Sequence, residues 1–417
     1  MRGRRLICLL LLVASAPLVQ AQEASQRGFV EGAIAAFPQA AVTDRVQAVG
    51  DARFRDELFV TPATWLRVAG GFDLRADSHD RVDTSWTPDF RDRGAQRPRL
   101  SVRRLNATVT RGPLTVDAGK QFIRWGKADI VNPTDRFAPR DFLDVVDSEF
   151  LAVTGVHATV QAGSHTFEGV WTPRFTPSRS PLLDQRWAVV PPAATGIPIV
   201  EVAPQLPDRR QVGARWGHVG EGFEYSVSVF DGVNHLPDIQ STPVFATPGS
   251  RLPTAIEVAR VHPRIRTYGG DLAWPMRWFT VKAEAAYFTS PSALTDEYGL
   301  YVIQLERQSG EWLFVGGYAG EVDTRRRSQA TFAPDRGTSR SIVGRASYTI
   351  DTNRSVGFEG AVHQDGRGAY GKAEYSQARG PHWRATVTAI GVGGRDDDFF
   401  GQYRRNSHVK VTLRYSF

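Results

Sequence analysis

The chain has 417 residues, 51 Lys and Arg against 44 Asp and Glu, and a formal net charge of +7. Its single cysteine is Cys8. A mild basic excess is no nucleic-acid signature, and one cysteine excludes a disulfide framework or a thiolate metal centre.

The N-terminus reads as a signal peptide over residues 1–21. Arg2, Arg4 and Arg5 precede an apolar run from Leu6 to Val13, followed by the small-residue site Val19-Gln20-Ala21. The run is too short for a spanning helix, which needs about 20 apolar residues. Cleavage would remove Cys8 and three arginines, taking the charge from +7 to +4 (7 minus 3). Residues 22–417 then form one domain.

No later segment is a helix-length apolar run, so a helical membrane bundle is excluded. The recurring signal has a period of two, as in a barrel wall that alternates lipid-facing and lumen-facing residues. The first two candidate strands, Gln26 to Phe37 and Asp51 to Val60, alternate weakly. In residues 277–289, Phe279, Val281, Ala283, Ala285 and Tyr287 oppose Thr280, Lys282, Glu284 and Ala286. In 339–350, Ile342, Gly344, Ala346, Tyr348 and Ile350 oppose Ser341, Arg345, Ser347 and Thr349. In 381–392, Trp383, Ala385, Val387 and Ala389 oppose His382, Arg384, Thr386 and Thr388. The last strand places Val409, Val411, Leu413, Tyr415 and Phe417 opposite Lys410, Thr412, Arg414 and Ser416.

Tight turns rich in Gly, Pro, Asn and Asp alternate with long loops, expected at 76–98, 126–149, 175–208, 232–262, 323–338 and 393–402. Short periplasmic turns and long extracellular loops are the outer-membrane arrangement. The expected fold is therefore all-β, a transmembrane antiparallel up-and-down β-barrel of about eighteen strands, or sixteen without the first two. A barrel of that size can hold an aqueous lumen. Alternation assigns Lys282, Glu284, Arg345, Glu359, Lys372, Glu374, Arg384, Lys410 and Arg414 to that lumen as selectivity candidates.

Tyr415-Ser416-Phe417, with hydrophobic residues spaced two apart behind it, resembles the signal read by the outer-membrane barrel-assembly machinery. That resemblance implies insertion by the machinery, with Tyr415 and Phe417 as the assembly signal. A single terminal ring facing lipid is expected to add little packing. The block from Gly119 to Gly126, with Asn132-Pro133-Thr134-Asp135 and Pro139-Arg140-Asp141, resembles one in uncharacterised porin-like outer-membrane proteins. The strand count is similar to that of alginate-export barrels, and no motif transfers a substrate.

Asn132, Asp135, Arg136, Arg140 and Asp141 crowd one long loop. It reads equally as a constriction folded into the lumen or as an extracellular loop tied by its own ion pairs. Pro177, Pro181, Pro191, Pro192, Pro198, Pro204 and Pro207 stiffen the next loop, as lid, plug or solvent-facing cap. Arg325-Arg326-Arg327 could meet lipopolysaccharide phosphates or simply be solvated. Asp396-Asp397-Asp398 could hold a divalent cation, and a solvated acidic loop is the plainer reading. The histidines lack metal-ligand spacing, and no local catalytic or cofactor-binding signature appears. Lumen-facing His363 and His382 leave a lipase or protease as a minor alternative.

These observations favour a non-enzymatic porin of a Gram-negative outer membrane. It would pass ions or small polar and anionic solutes, within outer-membrane lipid and lipopolysaccharide, without cofactor, metal or nucleic acid. The alternative is a gated conduit for a secreted polymer, or a sleeve for a partner protein. The substrate and the oligomeric state are not encoded in these patterns.

Overall fold

The structure is a computed structural model that describes residues 23–190, 194, 196–247, 252–327 and 330–417. The expected signal peptide lies outside the described residues.

Eighteen strands form one antiparallel sheet: β1 (Glu23–Ala36), β2 (Ala48–Ala63), β3 (Leu66–Asp77), β4 (Leu100–Arg111), β5 (Leu114–Gln121), β6 (Val153–Ala162), β7 (His165–Thr172), β8 (Gln211–Gly220), β9 (Phe223–Val233), β10 (Arg264–Pro275), β11 (Thr280–Thr289), β12 (Glu297–Ser309), β13 (Trp312–Arg325), β14 (Ser341–Asp351), β15 (Arg354–His363), β16 (Gly368–Arg379), β17 (Trp383–Gly394) and β18 (His408–Ser416). Each strand pairs with the next in sequence. β1 also pairs with β18, from Phe29 opposite Ser416 to Ala36 opposite Val409, which closes the barrel. Closure leaves no unpaired edge, the condition for a sheet to stand in hydrocarbon. The count of eighteen holds, and the weakly alternating first two strands are real strands.

Alternation sets the two faces. Val409, Val411 and Leu413 are about half exposed (46%, 51% and 50%), as expected of side chains that would meet lipid. Their neighbours Lys410 and Arg414 reach inward to Asp147 and Glu31. Trp65, Trp278, Trp312 and Trp383 are exposed beside short turns, where an aromatic girdle meets the headgroups. The short turns lie at one end with both ends of the described chain. At the other end, loops 78–99, 122–152, 173–210, 234–263 and 326–340 are long. Strands 199–201, 238–244, 255–261 and 330–331 form a small second sheet among these loops.

The seam between β1 and β18 shows a tight glycine contact. Gly28 and Phe417 exchange backbone hydrogen bonds, each 3.0 Å, and the Phe417 ring stacks on Phe54 at 6.0 Å. A Cβ on Gly28 would lie 2.5 Å from that ring and 2.7 Å from the Arg55 carbonyl oxygen. The terminal ring therefore packs across the seam, contrary to the expectation that it adds little packing. A Cβ on Gly32, in the same strand, would meet nothing within 4 Å. Gly28→Val should overpack the seam, at about 1–3 kcal/mol, and Gly32→Val should be tolerated. The electrophoretic mobility of unheated samples reads this. Folded yield should drop for the first variant only, and equal yields would remove the seam from the account.

Candidate functional site: a loop clamped across the lumen

β5 ends at Gln121, and the chain turns into the barrel instead of away from it. The turn is built on carboxylates. Asp135 Oδ1 accepts the backbone N–H groups of Trp125 and Gly126, both at 2.7 Å, stapling the ends of the turn together. Gly126 permits the close approach, since a Cβ there would lie 2.7 Å from the Asn132 Cβ and 3.1 Å from Glu284 Oε1.

Glu284, on the inner face of β11, holds this turn to the wall. It accepts backbone N–H groups from Lys127 (2.9 Å), Ala128 (3.1 Å) and Thr134 (2.8 Å), and the Thr134 hydroxyl at 2.8 Å. Next to it, Lys282 donates to Asp129 at 3.0 Å, and Gln304 of β12 receives the Asp129 N–H at 3.0 Å. Beneath the turn, Trp125 and Phe137 of the loop join wall residues Phe230, Phe288, Tyr298 and Leu300 in an apolar cluster. Trp125 meets Phe137 edge-on at 5.3 Å, and Phe137 meets Phe230 edge-on at 5.1 Å. Burying these rings anchors the loop hydrophobically.

The far part of the loop reaches the opposite wall. Asp147 accepts from Lys410 of β18 at 2.5 Å, and Glu149 pairs with Arg75 of β3 at 2.8 Å and with Arg53 of β2. In between, Asp141 lies between Arg97 (2.9 Å) and Arg179 (3.1 Å), and Asp144 accepts from Arg81 (2.9 Å) and the Trp187 indole N–H (2.8 Å). Burial works to raise the Asp141 pKa, but the guanidiniums of Arg97 and Arg179 overcome it and hold the carboxyl below the usual range. The same contest, with Arg81 and Arg97 as winners, lowers Asp144.

Asn132, Asp135, Arg136, Arg140 and Asp141 thus lie on a segment that crosses the barrel interior from the wall of β11 and β12 to that of β18, β2 and β3. Of the lumen candidates, Glu284 points inward but is only 2% exposed, so it faces the loop and not open water. Lys282 is neutralised by Asp129 and by Glu306 at 2.7 Å. Arg345 pairs with Glu359 at 2.6 Å, Lys372 with Glu374 at 3.5 Å, and Arg414 with Glu31. Arg384 donates to the Ser376 hydroxyl at 2.9 Å and has no ion-pair partner among the described residues.

A basic wall was missed in the sequence reading. Arg27, Arg53, Arg55, Arg67, Arg75, Arg103 and Arg104, from β1 to β4, stand with Arg414 around the carboxylates Glu31, Glu57, Asp73 and Glu149. Several guanidiniums lie over rings: Arg104 over Phe59 and Phe122, Arg67 over Phe59, Arg53 over Phe29. Arg67 and Arg104 have no ion-pair partner among the described residues. The signal lay in the spacing Arg53-x-Arg55 and Asp73-x-Arg75, charges at period two.

Other candidates are committed elsewhere. Arg326 pairs with Asp323 at 2.5 Å, Arg325 with Glu297 at 3.7 Å, and the Arg327 guanidinium donates to the Ser292 carbonyl at 2.5 Å. Asp396 is tied to Arg404 and Asp397 to Arg395, while Asp398 takes the Phe400 N–H and the His363 imidazole. His363, Asp365 and Asp398 come together, but the other His363 nitrogen bonds the Gly337 carbonyl at 2.9 Å. Both ring nitrogens are therefore occupied. His382 lies at the opposite, short-turn end beside Ser416.

Glu284→Ala would strip the acceptor from three backbone N–H groups of the loop, weakening its anchorage by about 3–9 kcal/mol at about 1–3 kcal/mol each. Trypsin should then cut after Lys127, Arg136 or Arg140 at least about tenfold faster, with the barrel still heat-modifiable. Loop protection should persist from pH 7 down to about pH 4. A depressed carboxylate pKa contributes stability above its unfolded value, near 3.9, and loses it only as pH falls toward the folded value. Loss of protection already at about pH 5.5 would contradict the clamp.

No protein-family model and no curated protein matches the chain. Solved structures match its fold. The outer membrane protein OpdK from Pseudomonas aeruginosa superimposes with a TM-score of 0.55 at 10% identity, covering 95% of this chain and 99% of its own. Pseudomonas aeruginosa OccD3 (OpdP) gives 0.56 at 8% identity over 95% and 91%. A BenF-like porin from Pseudomonas fluorescens Pf-5 gives 0.54 at 10% identity over 95% and 98%. The chain has the fold of these outer-membrane barrels, and the likeness to alginate-export barrels stays at strand count.

Proposed function

We propose that the chain is an outer-membrane porin that passes small polar solutes, anions by preference, past the clamped loop and the basic wall to which it is tied. The carrying observation is the loop that crosses from Glu284 to Lys410 and Arg75, because a segment fixed at both ends narrows a lumen that eighteen strands would leave wide. The three outer-membrane proteins that share the fold support the same reading. The apolar belt faces lipid of the outer membrane and the aromatic girdle its headgroups. The terminal Tyr415-Ser416-Phe417 serves the barrel-assembly machinery.

Selectivity follows from the cations that form no ion pair among the described residues. An ion pair such as Arg345 with Glu359 is a dipole whose field decays quickly, and salt screens single charges over about 8–10 Å. Arg67, Arg104 and Arg384 keep a net positive potential where solute passes.

Planar-bilayer recordings in a salt gradient test this. Stepwise conductance with a modest anion preference is expected, fading as salt rises. Replacing Arg67 and Arg104 together by Gln should reduce the anion-to-cation permeability ratio roughly twofold or more. Replacing Arg345 and Glu359 together by Gln removes no net charge and should leave the ratio unchanged. A barrel without stepwise conductance, or one that prefers cations, would overturn the proposal.

A further inference from the structure

One charged cluster of the barrel wall lies outside the passage. At the long-loop ends of β9 and β10, Asp231 stands directly opposite Arg266. Two residues further along the same face, Val229 and Tyr268 oppose each other and are exposed, whereas the intervening pair of Phe230 and Thr267 is buried. Asp231, Arg264 and Arg266 therefore point away from the lumen, on the side that meets lipid.

The strand sets their height. From Phe223, exposed at the short-turn end, to Asp231 is eight residues (231 minus 223). That is about 27 Å of strand, or roughly 20 Å of height at a barrel tilt of 35–45°. The apolar band of such a barrel is about 25 Å tall, so the charges stand near its outer rim. Tyr268 and Tyr287, opposite each other and exposed, lie just below them. The charge belongs to one sector of the rim, because the same end of β1 to β3 presents Ile34, Ala52 and Ala76 on its lipid face.

Asp231 gathers the cations. It accepts from Nε and Nη2 of both Arg264 and Arg266, and the shortest bond to each is 2.9 Å. Arg209, just before β8, approaches the same carboxylate to 3.8 Å. Three guanidiniums on one carboxylate leave a net charge of +2 (3 minus 1), and Asp208 and Arg210 on either side of Arg209 cancel. The side chains of Arg209, Arg264 and Arg266 are 44%, 41% and 51% exposed. A guanidinium carries five donors in a fixed fork. Among the described residues, Nη1 of Arg264 and of Arg266 donates to nothing, and Arg209 makes no hydrogen bond.

We propose that this cluster binds the phosphate of a lipid headgroup in the outer leaflet of the outer membrane. The phosphate oxygens take the unused donors of Arg209, Arg264 and Arg266, and the acyl chains run down the apolar wall past Tyr268. Guanidinium and phosphate match in bidentate geometry, and such charge-assisted bonds are about twice as strong as neutral ones. The run Arg325-Arg326-Arg327 is less free for this role, since Arg326 is tied to Asp323 and Arg327 to a loop carbonyl. The inference rests on the outer-membrane placement of the barrel and not on what the pore passes.

The test is native mass spectrometry of the detergent-solubilised full chain, titrated with diphosphoryl lipid A and with the same lipid after removal of its phosphates. The phosphorylated lipid should bind about tenfold or more tightly. Replacing Arg264 and Arg266 together by Gln should bring the two lipids within about twofold of each other. Lys at both positions keeps the charge without the fork and should retain part of the preference; it serves if the Gln variant folds poorly. An excess of inorganic phosphate should displace less than about half of the lipid, whose chains also lie on the wall. Equal binding of the two lipids, a preference that survives the Gln variant, or complete displacement by inorganic phosphate would each overturn the site. The Gln variant should also keep its anion-to-cation permeability ratio, and a lowered ratio would place these arginines in the lumen and defeat the inference. A barrel that binds the phosphorylated lipid but does not conduct defeats the pore reading alone.

Discussion

The interior of this barrel depends on one buried carboxylate. Glu284 stands on the wall with four hydrogen bonds from a loop that begins six strands earlier in the chain. An ionised group stripped of water is stable only when donors replace its hydration shell, and the turn of residues 127–134 supplies them. The dependence runs both ways, because the turn's backbone N–H groups would be orphaned without the carboxylate. Once that contact forms, Phe137 is carried onto Phe230 and Asp129 onto Lys282. The remainder of the loop then has only the opposite wall to meet.

Charge is arranged to the same end. The loop delivers Asp141, Asp144, Asp147 and Glu149 to cations that project from other strands and loops. These pairs satisfy the loop's carboxylates inside the lumen. They also spend carboxylates that would otherwise offset the basic wall. What remains is uneven, with Arg67, Arg104 and Arg384 outside any ion pair among the described residues. In the proposed pore the loop would thereby narrow the passage and set its sign.

Local chemistry made the barrel legible. Period two is fixed by the pleat, so Val409, Val411 and Leu413 on one face of β18 and Lys410 and Arg414 on the other could be read directly. Turn residues such as Gly163-Ser164 marked reversals for the same local reason. The direction of loop 122–152 could not be read, because Asp129 and Lys282 are 153 residues apart and local composition suits either course. Wall residues Phe230, Phe288 and Leu300 face inward although they are apolar, since they receive the loop and not water. The basic wall escaped notice because β2 alternates charged and apolar residues less cleanly than β18, although Arg53-x-Arg55 was there to see.

The central claim is that the clamped loop, and not the barrel wall alone, sets the width of the passage. Single-channel conductance tests it most directly, with residues 128–147 replaced by a short Gly-Ser linker and folding checked by heat-modifiable mobility. Removing the obstruction should raise the conductance several-fold. A folded barrel whose conductance is unchanged by the deletion would contradict the account.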